Sequence, residues 1–322
     1  MKPWLKAGVS VALLILLFLI LPWASVREAL GRLAPRVWLG VLAGFVAGHL
    51  LGVVKWRLFV NAARGGLKPR DAVTCYSAGL FANLCLPTIV GGDVLRVAMA
   101  GKITRRPEAA LSGGIMDRLT DMMALTLLVI VGGTLARGHL DGWLGQALTV
   151  ALVIGLALLV LGLPLLLRRP LDRWPRRIRR PLGRGLVGLR SLWRRPRIAI
   201  VGLLLSLTIQ SGFVVLNIWL GRSMGIDVSH ATWFLVWPLA KIAALVPISL
   251  GGIAVREGSL AALLLPFGVP AAVSVVCSLL WQTIMIAGGL LGGLAWLALG
   301  RDPALSLRAA TTHSPTPRTG HQ

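Results

Sequence analysis

The sequence predicts an all-α integral membrane protein of about six transmembrane helices and two broken hairpins, arranged as two related halves. Three observations support this prediction: the composition, a series of long apolar segments, and one motif that occurs twice. Of the 322 residues, 56% are hydrophobic and only 14% are charged, against about 25% charged in an average soluble domain. So few charges cannot cover a soluble surface, which excludes cytosolic enzymes, disulfide-rich secreted proteins and disordered chains.

Six apolar segments each exceed the roughly 20 residues that a helix needs to span a bilayer. They are 5–26, 37–60, 111–136, 143–167, 198–220 and 270–299. The first is long enough to span and more apolar segments follow it, so we interpret it as a retained helix and not as a signal peptide. In the second, glycine recurs at 40, 44, 48 and 52. This spacing favours close helix packing, with a lipid-facing groove as the alternative.

Two further apolar stretches, 72–100 and 230–268, are interrupted by a proline and a glycine pair. Both contain the pattern P-x3-G-G-x3-R, and the two copies are 160 residues apart. The pattern comprises Pro87, Gly91, Gly92 and Arg96 in the first copy and Pro247, Gly251, Gly252 and Arg256 in the second. We therefore predict one membrane domain over 1–300 with repeat halves 1–137 and 138–300. A disordered cytoplasmic tail over 301–322 follows it.

The distribution of positive charge predicts the topology, because positively charged loops face the cytoplasm. The formal net charge is +23, and 12 arginines fall within loop 168–197. If both broken elements are re-entrant and the amino terminus is inside, loops 61–71, 101–107 and 168–197 all face the cytoplasm, as does the carboxyl terminus. If both cross fully, the 12-arginine loop lies outside. Arg27, Arg32 and Arg36 are the exception, since the re-entrant topology places them outside.

Re-entrant elements leave three true spans in each half, so the second half starts on the opposite side of the membrane. The repeat is then inverted, with broken helices near the midplane, which is the architecture of secondary transporters. The basic excess is typical of a protein on anionic lipid. It does not indicate nucleic acid, because the basic segment has few interleaved aromatic residues for stacking.

Eight ionisable residues fall in the predicted membrane segments, where each costs about 2.5–3.5 kcal/mol on insertion scales. They are Asp93, Arg96, Asp117, Arg118, Asp121, Lys241, Arg256 and Glu257. Asp117 and Asp121 share a helix face and can meet an arginine of a neighbouring hairpin. Arg96 and Arg256 each follow a glycine pair, where the start of a half-helix favours an anion. This predicts a phosphate site at the two arginines, while buried ion pairs that only fix the hairpins are the alternative for the carboxylates.

Several polar residues near these segments allow two interpretations. Asn83, Tyr76 and Ser249 could bind a headgroup or cap freed backbone groups at the breaks. Lys55 and Arg57 are expected to snorkel to the membrane surface, and His49 to pack in the interior. The three cysteines, Cys75, Cys85 and Cys277, are expected to be core residues.

The sequence contains no motif for ATP binding, zinc-dependent proteolysis or serine hydrolysis. We therefore expect no catalytic residue, no metal and no cofactor, and no enzyme activity. A gradient, the lipid asymmetry or another protein would have to supply the energy for any transport.

Four sequence fragments together resemble a known family. They are Asn83-Leu84-Cys85-Leu86-Pro87, Gly91-Gly92-Asp93-x2-Arg96, Asp117-Arg118 and Pro247-x3-Gly251-Gly252-x3-Arg256-Glu257-Gly258. They resemble the transmembrane region of lysylphosphatidylglycerol synthase (MprF) and the wider flippase-like family with many stand-alone members, over roughly 5–300. Asp117 stands where many members have glutamate. The resemblance implies lipid translocation between leaflets. It does not imply lysyl transfer, because in MprF a separate cytosolic domain performs that reaction.

The leading hypothesis is a multi-pass flippase of the cell inner membrane that moves an anionic, zwitterionic or glycosylated lipid. The predicted substrate-binding residues are Asn83, Gly91, Gly92, Asp93, Arg96, Asp117, Arg118, Asp121, Gly251, Gly252, Arg256 and Glu257. Two alternatives remain at this point. One is an intramembrane transferase acting on a lipid or lipid-linked sugar, with paired carboxylates as acid and base. The other is a non-transporting partner of a lipid-modifying enzyme, docked through loop 168–197.

The topology can be tested with single cysteines at Arg64, Arg105 and Arg180 and an impermeant thiol reagent. All three sites should be protected from outside, because positive-inside counting places these loops in the cytoplasm only if 72–100 is re-entrant. Labelling of the Arg105 site from outside, with the other two protected, would contradict the re-entrant topology.

Overall fold

The computed structural model describes Gly31 and residues 34–85, 91–136, 195–244 and 255–300. These residues form eight α-helices and one 3₁₀ turn, with no strand among them. The helices are α1 (Pro35–Ala62), α2 (Pro69–Cys85), α3 (Gly91–Thr104), α4 (Pro107–Leu135), α5 (Pro196–Ser223), α6 (His230–Ala243), α7 (Val255–Leu264) and α8 (Ala271–Leu299). The predicted spans 5–26 and 143–167, most of loop 168–197 and the tail lie outside the described residues.

Within the described ranges, three helices are long and apolar enough to cross a membrane: α1, α5 and α8. They coincide with the predicted segments 37–60, 198–220 and 270–299. Helix α4 has 29 residues and covers the predicted segment 111–136 up to Leu135, but it carries charged residues in its middle. The all-helical membrane class is therefore confirmed, while the count of six spans stays a prediction.

Helices α1 and α5 pack against each other along their whole length. The glycines at 40, 44 and 48 of α1 lie against Trp219, Leu216 and Phe213 of α5 in turn. Residue numbers fall on α5 as they rise on α1, so the two helices are antiparallel. The pairing continues to the end of α1, where Phe59 contacts Gly202. The glycine-lined face is a packing surface, as predicted, and its last glycine, Gly52, contacts Tyr76 of α2.

Helices α2 and α3 form a hairpin around the first proline–glycine break. The backbones approach closely at Gly79 and Gly92, because a Cβ on Gly79 would lie 2.7 Å from the Gly92 carbonyl oxygen. The Gly92 N–H donates to Oδ1 of Asn83 at 2.9 Å. Asn83 therefore satisfies a backbone donor at the start of α3 that the helix itself leaves free.

The open end of this hairpin lies beside two other connections. Arg106 Nη1, between α3 and α4, donates to the carbonyl oxygen of Arg64, between α1 and α2, at 2.5 Å. Arg195 Nη1, just before α5, donates to the carbonyl oxygen of Ala62 at 3.2 Å. Loops 61–71 and 101–107 and the last residues of loop 168–197 therefore meet at one end of the helix bundle.

The second broken element gives α6 and α7, which pack against each other on either side of residues 245–254. The two hairpins dock in corresponding ways: α2 packs on α8, and α6 packs on α4. A glycine pair lies at each of these contacts. Gly132 and Gly133 of α4 face Leu235, and Gly292 and Gly293 of α8 face Leu80 and Phe81. The two pairs are again 160 residues apart.

Aromatic side chains fill the centre between α1, α5, α6 and α8. Trp281 lies edge-on to Phe45, Phe213 and Trp237, with ring centroids 5.7, 6.0 and 5.2 Å away, and such edge-to-face contacts stabilise beyond area burial. Cys75 and Cys277 are buried thiols, as predicted for core residues. The side chain of Cys85 lies outside the described set.

Two glycines offer a matched test of the packing. An alanine Cβ at Gly113 of α4 would lie 2.8 Å from the backbone nitrogen of Val60 in α1, whereas at Gly212 of α5 nothing lies within 4 Å. We expect Gly113→Ala to lower the free energy of unfolding by about 1–3 kcal/mol, because neither helix backbone can yield. Gly212→Ala should leave it unchanged or raise it by up to about 1 kcal/mol. Thermal unfolding in detergent measures both, and equal stability of the two variants would contradict the close α1–α4 contact.

Candidate functional site

The interior contains a buried lysine between two carboxylates. Lys55 Nζ of α1 lies 2.6 Å from Asp121 Oδ1 and 3.0 Å from Asp117 Oδ1 of α4, and it donates to Ser206 Oγ of α5 at 2.9 Å. The contact with Asp117 is an ion pair without hydrogen-bond geometry. The expectation that Lys55 snorkels is wrong, since its exposed fraction is only 2%. Helix α1 continues to Ala62, so Lys55 lies well inside the helix, covered by α4 and α5.

Arg96 extends this arrangement to α3. Its Nη2 atom lies 2.7 Å from Asp117 Oδ2 and 3.0 Å from Asp93 Oδ1. The guanidinium group stacks on two aromatic rings, with Cζ 5.1 Å from the Trp56 centroid and 4.9 Å from that of Tyr76. Such cation–π contacts are strongest when the cation is desolvated, and Arg96 is buried. Its Nε has no hydrogen-bond partner among the described residues.

Asp93 also bonds Arg118, whose Nε and Nη2 both donate to its Oδ2. The ion pairs thus alternate in sign through six residues, which we call the charge cluster: Lys55, Asp93, Arg96, Asp117, Arg118 and Asp121. Its three cations and three carboxylates balance. They join α1, α3 and α4, and a neutral cluster of this kind avoids the cost of isolated charges in lipid.

A second group surrounds Arg256 on α7. Its Nη2 lies 2.6 Å from Glu257 Oε1 and donates to Gln282 Oε1 of α8 at 2.9 Å, and its Nε donates to Ser278 Oγ at 3.2 Å. Glu257 is fully buried. Helix α8 therefore offers neutral partners where α4 offers carboxylates: Cys277 stands 160 residues after Asp117. We call Arg256, Glu257, Ser278 and Gln282 the α7–α8 group.

Lys241 lies between these two sets, in the last turn of α6. Its Nζ donates to Gln210 Oε1 of α5 at 2.8 Å and lies 5.3 Å from the centroid of the Phe213 ring. It is close enough to Asp121 and Arg256 to interact electrostatically with both. Among the described residues, no carboxylate lies within ion-pair distance of Lys241.

His49 packs among rings, as expected. Its imidazole centroid is 4.4 Å from that of Phe45 and 5.5 Å from that of Phe213. Its Nδ1 lies 3.3 Å from the hydroxyl oxygen of Tyr76. Tyr76 therefore contacts His49 and Arg96 at once, and it links the aromatic centre to the charge cluster.

The structure brings together most of the predicted binding residues, in two separate sets. Asp93, Arg96, Asp117, Arg118 and Asp121 share the charge cluster, and Arg256 and Glu257 share the α7–α8 group. The single phosphate site predicted at Arg96 and Arg256 stays a prediction. Gly91 and Gly92 begin α3, with Asn83 as its cap. Gly251, Gly252, Pro247 and Ser249 lie outside the described residues.

Sequence reasoning missed four polar partners: Lys55, Gln210, Ser278 and Gln282. Ser278 and Gln282 are four residues apart, so they share a face of α8 and could have been found by helical spacing. Gln210 is a polar residue in the middle of the predicted span 198–220, whereas Lys55 lies only five residues before the end of the predicted span 37–60. A polar side chain well inside a predicted span indicates an internal partner.

Antiparallel long helices, two broken hairpins and buried ion pairs define a multi-helix membrane protein with a polar interior. The chain belongs to the lysylphosphatidylglycerol synthase TM region family, whose profile matches residues 4–293. This confirms the resemblance that the four sequence fragments indicated. No curated protein and no solved structure matches the chain.

The role of Lys55 can be tested by removing its charge. Lys55→Met should lower the free energy of unfolding by about 3–5 kcal/mol, because it leaves a buried carboxylate without its cation. The double variant Lys55→Met/Asp121→Asn should recover much of the loss, since it removes both charges. Lys102→Met, at an exposed lysine of α3, is the control. Folded yield and thermal unfolding in detergent are the measurements, and a Lys55→Met variant as stable as this control would contradict the buried ion pair.

Proposed function

We propose that the protein is a flippase-like transporter that moves a phospholipid or lipid-linked headgroup between the leaflets of the cell membrane. The observation that carries the proposal is the antiparallel packing of α1 and α5. Each immediately precedes a broken element, so the two helices hold the same position in the two halves. Corresponding helices run in opposite directions in an inverted repeat, and inverted repeats with broken helices are characteristic of alternating-access transporters.

The docking of the two hairpins supports the same architecture. Helix α2 packs on α8 of the other half, and α6 packs on α4, as expected if one pseudo-twofold axis relates the halves. At the open end of the α2–α3 hairpin, Arg106 and Arg195 bond loops 101–107 and 168–197 to loop 61–71. This favours a re-entrant hairpin that opens to the cytoplasm, with both termini on the cytoplasmic side of the inner membrane.

The buried charges support a headgroup pathway at the hairpins. In the proposal, the lipid phosphate binds near Arg96 and Arg256, and the carboxylates position these arginines or meet a cationic headgroup. Arg96 already has two carboxylate partners, so a phosphate must compete with Asp93 or Asp117. If the phosphate replaces one of these carboxylates at Arg96, the α2–α3 hairpin has two arrangements with a similar balance of buried charges. Alternating access requires two such arrangements.

The pairing of the carboxylates favours transport over an intramembrane transferase. Asp93, Asp117, Asp121 and Glu257 are each bonded to a buried cation. A general acid or base must instead reach the proton it transfers in the substrate. We therefore propose that the chain has no catalytic residue of its own and that a membrane lipid is its ligand.

The test is reconstitution in liposomes with labelled lipid, using Arg96→Lys and Arg256→Lys. Lysine keeps the charge but loses the bidentate fork, so both variants should fold in normal yield and move lipid roughly tenfold more slowly. Arg222→Lys, at an exposed arginine of α5, is the control and should match the wild type.

Normal translocation in both arginine variants would contradict the site. No movement of any labelled lipid by the wild type would contradict the transporter. A new lipid product in the mass spectrum of the liposomes would support the transferase instead.

A further inference from the structure

We propose that Lys241, together with Gln210, is the anion-binding pair that receives the phosphate of the lipid headgroup. This inference rests on the proposed transport function and names a site within it. Lys241 would contact the phosphate first, at the end of α6 between the charge cluster and the α7–α8 group.

The buried cations and carboxylates do not balance at Lys241. The charge cluster contains three cations and three carboxylates and is neutral. Around the second hairpin, Lys241 and Arg256 are opposed by one carboxylate, Glu257, which bonds Arg256. Among the described residues the interior therefore carries one positive charge in excess, and Lys241 is the cation without a carboxylate at bonding distance. Asp121 lies within electrostatic reach of Lys241, but its carboxylate bonds Lys55.

The geometry around Lys241 suits an anion. Lysine can only donate, so the bond at 2.8 Å identifies the accepting atom of Gln210 as Oε1. The NH₂ group of the same amide then remains as a donor beside the ammonium group. A lysine binds phosphate as a point charge, and an adjacent amide donor adds direction. Lys241 is part-buried, whereas Lys55 and Arg96 are fully covered, so a ligand can reach it more readily.

The position of Lys241 in the fold places this pair at the second break. Helix α6 ends at Ala243, and α7 begins at Val255, directly before Arg256. Lys241 and Arg256 therefore flank the interruption from its two sides and interact electrostatically. Two cations that interact in this way repel each other, and an anion near both offsets the repulsion. A phosphate held by Lys241 would thus also be drawn toward Arg256.

A purely structural role for Lys241 makes the opposite prediction about stability. If its bond to Gln210 only holds α6 against α5, removing the ammonium group weakens the protein in the absence of any ligand. If Lys241 instead binds an anion, the unliganded protein contains a desolvated cation without a counter-ion, and removing Lys241 removes this destabilisation. The stability of the unliganded variant therefore separates the two roles.

The experiment uses the full chain in detergent, with thermal unfolding followed as phosphatidylglycerol is added. The variants are Lys241→Gln and Lys241→Arg, and Lys102→Gln removes the same charge at an exposed site as the control. The wild type and the control should be stabilised by the lipid at the same concentration. Lys241→Gln should need roughly tenfold more lipid or more, and without lipid it should unfold at the wild-type temperature or above. Lys241→Arg should retain most of the lipid effect.

Two outcomes would overturn the proposal: lipid stabilisation of Lys241→Gln at the wild-type concentration, or a clear loss of stability of this variant without lipid. A parallel titration with inorganic phosphate identifies the source of the anion. If inorganic phosphate alone reproduces the wild-type stabilisation and Lys241→Gln abolishes it, the site stands, but a soluble anion replaces the headgroup as its ligand.

The liposome assay keeps this inference separate from the proposed function. A wild type that binds phosphatidylglycerol through Lys241 but moves no labelled lipid would contradict transport and leave the binding site in place. A wild type that moves lipid, with Lys241→Gln equally active and equally stabilised, would contradict only the role of Lys241.

Discussion

The structure depends on one constraint: a charge buried among apolar helices must find its counter-charge inside the protein. Lys55 meets this requirement with two carboxylates of α4 and a hydroxyl of α5, so it joins three long helices at one point. Arg96 then attaches the short helix α3 to one of these carboxylates, that of Asp117. Helix α3 has only 14 residues, too few to span a bilayer. Its place is therefore set by ion pairs, by the rings of Trp56 and Tyr76 and by the Asn83 cap.

The sequence allowed prediction of the features that repeat with a fixed period. The glycine-lined face of α1, the two breaks 160 residues apart and the shared face of Asp117 and Asp121 all follow from spacing alone. Which cation meets which carboxylate did not follow, because ion pairing depends on how helices from distant parts of the chain are rotated against each other. Lys55 illustrates this. Its position near the end of an apolar segment is equally compatible with snorkelling and burial, and only the cover provided by α4 and α5 decides between them.

The two halves share a packing scheme but differ in their charges. Gly132–Gly133 and Gly292–Gly293 serve the same purpose at corresponding contacts, and Arg96 and Arg256 hold the same position in the motif. Beside Arg96 stands the carboxylate of Asp117, whereas beside Arg256 the facing helix offers Ser278 and Gln282. Glycine pairs recur because backbone approach is needed in both halves. The charges differ in their balance among the described residues: three cations and three carboxylates pair in the charge cluster, whereas Lys241 and Arg256 face the single carboxylate of Glu257. On the proposed function, this excess cation is where the headgroup binds first.

The same contacts indicate where movement can occur in a transport cycle. Helices α1 and α5 interlock over their full length, with glycines against Trp219, Leu216 and Phe213, and separating them would expose large aromatic surfaces and the buried Lys55. The α6–α7 hairpin is joined to α8 in part through neutral hydrogen-bond partners of Arg256, which can be exchanged. Arg256 has one carboxylate and three neutral partners, counting the Met285 sulfur, so a phosphate can replace a neutral partner without leaving a buried charge unpaired. On the proposed function, the α6–α7 hairpin is therefore the element that responds to the headgroup, while α1, α4 and α5 form the fixed frame.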